Sequence, residues 1–323
     1  MADDRTYLLG LDAGNTVIKA VLFDLAGRQV AMSALDGQSF SPAPGHVERD
    51  LGELWRNAQT VIRECLDKAG VEPSQIAAVG CAGHGNGLYL DKDHEPLLGI
   101  QSLDTRAADH AGKLREAHGD RLHALCLQEP WPSQTPTLLA WIKDNRPDLY
   151  ARTGTVLLCK DFITFKLTGE RVSEISDMSG CGLLRLPDNL YDRELLELYG
   201  LGEAEPMLPH LVEPADVAGH VTAEAATATG LKEGTPVVGG YFDVIASALG
   251  SGVVHSGEAS IIAGTWSINQ VFSEAPIVDK AMFMASGFAP GRFVNIESSA
   301  TSAANLEWYV RELVERGKHH DDP

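Results

Sequence analysis

Val237-Val238-Gly239-Gly240-Tyr241-Phe242-Asp243-Val244 decides how the chain is read. An apolar run leads into two glycines and two aromatics, and one carboxylate then opens the small-residue segment Ile245-Ala246-Ser247-Ala248-Leu249-Gly250. The run reads as a buried strand and the segment after it as a helix. Asp243 then stands where a strand ends and a helix begins, the edge at which open α/β sheets keep their ligands. Asp is also a favoured helix N-cap, so at this level both capping and chemistry stay open.

The chain has 323 residues, 44% hydrophobic and 22% charged, an ordinary globular composition whose length suggests about two domains. A formal charge of −19 disfavours nucleic acid and anionic membranes as partners, and leaves any anionic ligand to a local attraction. No apolar run approaches the roughly 20 residues of a membrane span, and the acidic start Met1-Ala2-Asp3-Asp4-Arg5 is not that of a signal peptide. Five scattered cysteines without a CxxC predict reduced core thiols in a cytoplasmic protein and no zinc site. The closing His319-His320-Asp321-Asp322 reads as a solvated chain end.

Working back from Asp243, Tyr7 to Asp12, Val17 to Phe23 and Gln29 to Met32 read as a meander of three antiparallel strands. Asp50 and Glu53 have capping-box spacing, and Leu51, Leu54, Trp55, Ala58, Val61, Ile62, Cys65 and Leu66 recur at helical intervals. Ile76 to Val79 predicts a strand running into a glycine-rich loop, Gly80 to Gly87. Further strands are expected at Leu88 to Leu90, Gly99 to Leu103 and Val156 to Cys159. Helices are expected from Asp104 through Ala117, at Thr137 to Asp144, Lys160 to Thr168, Asp192 to Tyr199 and Ala223 to Thr229. Ser176 to Gly180 reads as a polar junction.

Beyond Gly250 the stretch Ser251 to Gly257 is small and flexible, which divides the chain into expected domains at 1–250 and 251–323. Ala259 to Ala263, Ile268 to Phe272 and Val294 to Ile296 follow as strands, and Ala303 to Val314 as an amphipathic helix. Trp55 and Trp308 are read as core, since each sits in apolar helical spacing.

One device occurs twice. Asp12-Ala13-Gly14-Asn15-Thr16 and Ala263-Gly264-Thr265-Trp266-Ser267 each join two strands, and such turns aim backbone N–H groups and a hydroxyl at one point. That geometry suits phosphate oxygens without net positive charge, and Asp12 suits Mg²⁺ held through water. A single such turn is usually only a hairpin. Two of them, with Asp243 between, are far more specific.

With these motifs the chain resembles an FGGY-type carbohydrate kinase from Leu8 to about Arg316. The matching stretches are Gly10 to Thr16, Pro44 to Asp50, Gly83-His84-Gly85, Asp104-Thr105-Arg106, Lys160 to Ile163, Leu167 to Glu170, Ser176 to Gly180, Gly239 to Asp243, Gly264 to Ser267 and Asn305 to Trp308. Phe242-Asp243-Val244 and Ala263 to Asn269 are most similar to the L-xylulose kinase branch. The resemblance implies an α/β protein of the ribonuclease H-like, actin-like ATPase fold, with two domains and a cleft. It implies ATP and Mg²⁺ as cofactors and a small sugar as partner, and it allows a second copy of the chain as a homodimer partner.

Carried over residue by residue, Asp243 matches the family's catalytic base and Asp12 its first phosphate and Mg²⁺ carboxylate. Gly14, Asn15 and Thr16 fall in the first phosphate loop, and Gly264 and Thr265 in the second. Gly83 and His84 lie in the sugar-binding loop, Asp104 and Arg106 in the next sugar-side segment, and Asp243 also faces the sugar. By residue type alone, His84 is either a donor to a sugar oxygen or a solvated loop histidine, and Arg106 either a sugar contact or a solvated charge.

Two residues depart from the family's pattern: Asn15, where a Thr is usual, and Val244, where many relatives carry an amide that would bind the sugar. The family also continues well beyond residue 323 with a Gly-rich adenosine-binding loop that is not found here, so the second domain is expected to be incomplete. The expected activity is ATP-dependent phosphorylation of a ketopentose, L-xylulose-like, or of a related sugar or polyol. The alternatives are a sugar-binding or regulatory remnant without its adenine pocket, and an actin-like ATPase without a small substrate, which Asp243 and the His84 loop disfavour.

Overall fold

A hairpin with one apolar face starts the fold. Leu9, Leu11 and Ala13 of the Tyr7–Ala13 strand, and Ile18, Ala20 and Leu22 of Val17–Asp24, are buried and alternate with more exposed neighbours, as the two-residue period of a strand requires. Gln29–Asp36 completes the expected meander and runs four residues further than the sequence suggested. The computed structural model describes residues 6–263, 267–299 and 302–315.

Ile76–Gly83 joins Tyr7–Ala13 in parallel, with Ala13 beside Gly83. The strand therefore continues through Gly80-Cys81-Ala82-Gly83, where a loop was expected. Glycine here serves close approach rather than looseness, since a Cβ on Gly83 would lie 3.0 Å from the Lys160 Cβ. Along the main path the sheet runs Val217–His220, Pro236–Val238, Ile76–Gly83, Tyr7–Ala13, Val17–Asp24, Gln29–Asp36. Gly240, at φ +83°, lets the chain turn against the Cys81 carbonyl, which a Cβ would strike. Tyr241–Phe242 then pairs in parallel with the end of Ile76–Gly83, Phe242 opposite Gly83.

The Leu51–Ala69 helix covers one face of this sheet. Asp50 caps it by accepting from the Glu53 amide, while the Glu53 carboxylate turns to Gln38 and Asn57, so only half of the capping box forms. Its buried Leu51, Leu54, Val61, Ile62 and Leu66 each contribute roughly 1.5–3 kcal/mol of burial. The Cys159–Thr168 helix, ended by left-handed Gly169 as the sequence suggested, packs beside it. A second core gathers around the Ala108–Cys126 and Thr135–Asn145 helices.

Several local expectations shift. The strand expected at Gly99 to Leu103 is Pro96–Ile100, and Thr153–Leu157 ends before Cys159, which opens a helix. Asp104 precedes rather than starts its helix. Ser176 to Gly180 is no junction: Ile175–Gly180 is a fully buried helix capped by Glu174. The Ala259–Ala263 and Ser267–Ser273 strands pair as the predicted second hairpin and join a four-stranded sheet with Arg292–Ser299 and the unforeseen Met284–Ala289. Trp55 packs partly buried on the first core, but Trp308 is 53% exposed on the Ala303–Tyr309 helix and is not core. All five cysteines are buried and free, and no described helix is long and apolar enough to cross a membrane.

Candidate active site

Three parallel strands end at one level, since Ala13 pairs with Gly83 and Gly83 with Phe242. The residues that follow them, Gly14, His84 and Asp243, are therefore delivered to the same sheet edge, where open α/β sheets bind ligands. A cleft of about 220 Å³ opens there, lined among others by Asn15, His84, Ser102, Trp131, Asp177 and Asp243. Its other wall comes from the four-stranded sheet through Ile268, Met284 and Ile296.

Asp243 is the first residue of the Asp243–Gly250 helix. The cap position belongs to Phe242, and no side chain caps this helix. Burial pushes the Asp243 carboxyl up to about 7, and the charge of Asp12 adds to the effect. Asp12 faces Lys19 across the first hairpin, with Lys19 Nζ 3.3 Å from Oδ2, and keeps 38% of its side chain exposed. The turn after it needs glycine, because a Cβ on Gly14 would lie 2.6 Å from the Val17 carbonyl oxygen. Buried Arg49 donates to the Gly14 carbonyl at 3.2 Å and so holds the turn in place.

Asn15 ties this turn to the cleft's far side. Its amide donates to Ser102 Oγ, and its carbonyl accepts from Gln101 Nε2 at 3.0 Å. Thr16 is exposed beside it. Gly264 and Thr265 lie outside the described residues.

His84 is buried at the cleft wall, not solvated in a loop. Asn86 Nδ2 donates to the Ser133 carbonyl at 2.9 Å, which fixes the amide and leaves Asn86 Oδ1 to accept from His84 Nδ1 at 2.6 Å. Burial, with Arg49 nearby, lowers the His84 pKa to about 4, so the ring is neutral. Nε2 is then a lone-pair acceptor, and it has no hydrogen-bond partner among the described residues. Of the two readings open in the sequence, the solvated histidine is excluded, and the free nitrogen is an acceptor rather than a donor. Trp131 Nε1, on the same cleft, is a buried donor without a partner among the described residues.

Asp104 and Arg106 are not brought to the cleft. The Asp104 carboxylate accepts from the Val47 amide at 2.6 Å and from Arg106, whose guanidinium also reaches Glu48 at 2.7 Å and stacks 5.5 Å from the Trp141 ring. The Arg106 side chain is 2% exposed, neither solvated nor lining the cleft. It is held as the fully paired ion that burial of a charge demands. Ser102, just upstream, takes the cleft position instead.

Sequence reasoning also missed Trp131, Arg49 and Asp177. The stretches holding Arg49 and Asp177 were recognised as family-like, but residue type gave neither a role. Val244, the departure after Asp243, lines the cleft and accepts from Gln270 Nε2 through its carbonyl at 2.8 Å.

Residues 7–250 match the FGGY family of carbohydrate kinases, N-terminal domain. The L-xylulose/3-keto-L-gulonate kinase of Escherichia coli (strain K12) is 36% identical over 309 residues, covering 94% of this chain and 62% of that protein. A probable L-xylulose kinase of Pasteurella multocida (strain Pm70) is 36% identical over 313 residues, covering 95% and 64%. The crystal structure of xylulose kinase from Rhodospirillum rubrum superposes with a TM-score of 0.89 at 28% identity, over 96% of this chain and 64% of that one. The fold is the actin-like ATPase fold of sugar kinases, as the resemblance implied. The chain belongs to the FGGY family of carbohydrate kinases. It spans 62–64% of the length of the two relatives named.

Proposed function

We propose that the cleft beneath Asp243 binds a ketopentose or related polyol, L-xylulose foremost, and that one of its hydroxyls takes the γ-phosphoryl group of ATP. Asp243 accepts the hydroxyl proton as the new O–P bond forms and the bond from the γ-phosphorus to the bridging oxygen of ADP breaks. A carboxylate poised near neutrality suits that task, because a general base works best with a pKa close to the working pH. Phosphoryl transfer otherwise asks mainly for positioning and charge neutralisation.

The observation that carries the reading is the set of unpartnered polar atoms beside Asp243. His84 Nε2 accepts and Trp131 Nε1 donates, and neither has a partner among the described residues. Buried polar groups are costly when unpaired, and a chain of hydroxyls, each both donor and acceptor, satisfies them together. Asp12 is a single hard-oxygen carboxylate, partly exposed beside the glycine turn, and so fits Mg²⁺ held through water. When bound, the ion would neutralise phosphate charge at that end of the cleft. We place the domain boundary between Gly250 and Ser251, ahead of the four-stranded sheet.

ADP release in a coupled assay, run over a panel of ketoses and polyols, tests the reading. Turnover that requires a sugar, with L-xylulose among the best, is expected. ATP hydrolysis indifferent to every sugar would overturn it in favour of an actin-like ATPase. Sugar binding by calorimetry without any response to ATP·Mg²⁺ would make this chain the sugar-binding remnant.

A further inference from the structure

Buried Lys160 is surrounded by three carboxylates, at 2.6 Å from Asp161, 3.2 Å from Glu174 and 3.8 Å from Asp177. Two of the three are fully occupied. Asp161 holds Lys160 and accepts from the Leu158 amide at 3.1 Å. Glu174 caps the Ile175–Gly180 helix, accepting from the Ser176 amide and hydroxyl and from the Asp177 amide at 2.6, 2.9 and 2.9 Å. Asp177 differs. Both of its carboxyl oxygens are buried without a hydrogen-bond partner, the only carboxyl of that kind among the described residues.

Its surroundings point to a ligand. Asp177 lines the same cleft as Asp243 and His84. The space over it is kept clear by a glycine: a Cβ on Gly85 would sit 2.9 Å from Asp177 Oδ1. Service as a counter-charge does not account for it, because Lys160 already has two closer carboxylates. A buried carboxyl that no described group satisfies is costly, and a hydroxyl from the cleft would remove that cost.

We infer that Asp177 is a second substrate-binding carboxyl, which hydrogen-bonds a hydroxyl of the sugar other than the one phosphorylated and so selects substrates that present hydroxyls toward both Asp243 and Asp177. The inference rests on the sugar reading of the cleft and adds to it a residue that sets specificity. Burial raises the Asp177 carboxyl well above the usual range, and the lysine opposes this only in part. In either protonation state a carboxyl oxygen accepts from a hydroxyl, which matches a sugar partner.

Calorimetric titration of L-xylulose into the 323-residue chain, its Asp177→Ala and Asp177→Asn variants and Asp243→Asn tests the inference, with thermal melts of each. The expected result is sugar affinity at least tenfold weaker in Asp177→Ala, an intermediate loss in Asp177→Asn, and melting midpoints at or above that of the wild type. Both Asp177 variants binding within twofold of a wild type that binds would overturn this inference alone. A wild type that binds no ketose or polyol would overturn the sugar reading and this inference with it. If both Asp177 variants lose their cooperative melting transition, the residue is structural and the inference fails.

Discussion

Asp243 was open between cap and chemistry on sequence grounds, and the geometry removes the cap. Phe242 holds the cap position, and the carboxyl instead sits at the cleft with its pKa raised to about 7 by burial and by Asp12. The sign of the resulting stability effect is fixed. The folded-state pKa lies above the unfolded value of about 3.8, so the folded chain holds this proton more tightly and stability falls as pH rises from about 4 to 7. Measured by urea unfolding without nucleotide or metal, Asp243→Asn gains stability over the wild type through that window. The gain levels off above pH 7 at on the order of 4 kcal/mol. A difference that stays flat from pH 4 to 8 would contradict the assignment. Asp12, His84 and Asp243 were legible because each directly follows or ends a strand-like run. Asp104 and Arg106 were not, because a sugar contact and a buried ion pair use the same residue types, and only the Val47 and Glu48 partners tell them apart.

At the scale of elements, local pattern served best where one face decides the structure. The Leu51–Ala69 helix emerged from its apolar spacing and its Asp50 cap. Asp50→Ala should lower stability by about 1 kcal/mol, read as a shift of the urea midpoint with unchanged slope, because one helix-terminal amide loses its acceptor. Pattern failed where tertiary pairing overrode composition. Gly80 to Gly83 carries two glycines in four residues and still forms strand, because it lies between Tyr7–Ala13 and Tyr241–Phe242. Ser176 to Gly180 reads as polar, yet it is a buried helix whose hydroxyls are spent internally. Ser179 Oγ donates to the Ile175 carbonyl, and Ser176 Oγ to the Glu174 carboxylate that caps the helix. The Met284–Ala289 strand was missed because its Gly287 and small residues resemble a loop locally.

At the scale of the whole chain, the motifs far apart in sequence are gathered by strand order. The first hairpin, the glycine-rich strand and the Tyr241–Phe242 segment meet side by side, and the four-stranded sheet closes the cleft from the other side. Ser286 of that sheet hydrogen-bonds the Ile175–Gly180 helix, and Gln270 the start of the Asp243–Gly250 helix, so both walls are fixed relative to Asp243. The acidic charge of −19 fits the proposed reading, in which phosphate is drawn by turn geometry rather than by net charge. The family was legible before any coordinates because the two turns and Asp243 keep their order over nearly the whole length. The partners of the orphaned atoms were not, since an unpaired Nε2 or indole N–H leaves no trace in sequence. The most direct test of the central claim is Asp243→Asn, followed in parallel by sugar titration and by sugar-dependent ADP release. Loss of turnover by about 10²–10⁴-fold with L-xylulose affinity kept within about threefold is the predicted result. A folded, sugar-binding variant that turns over at the wild-type rate would contradict it.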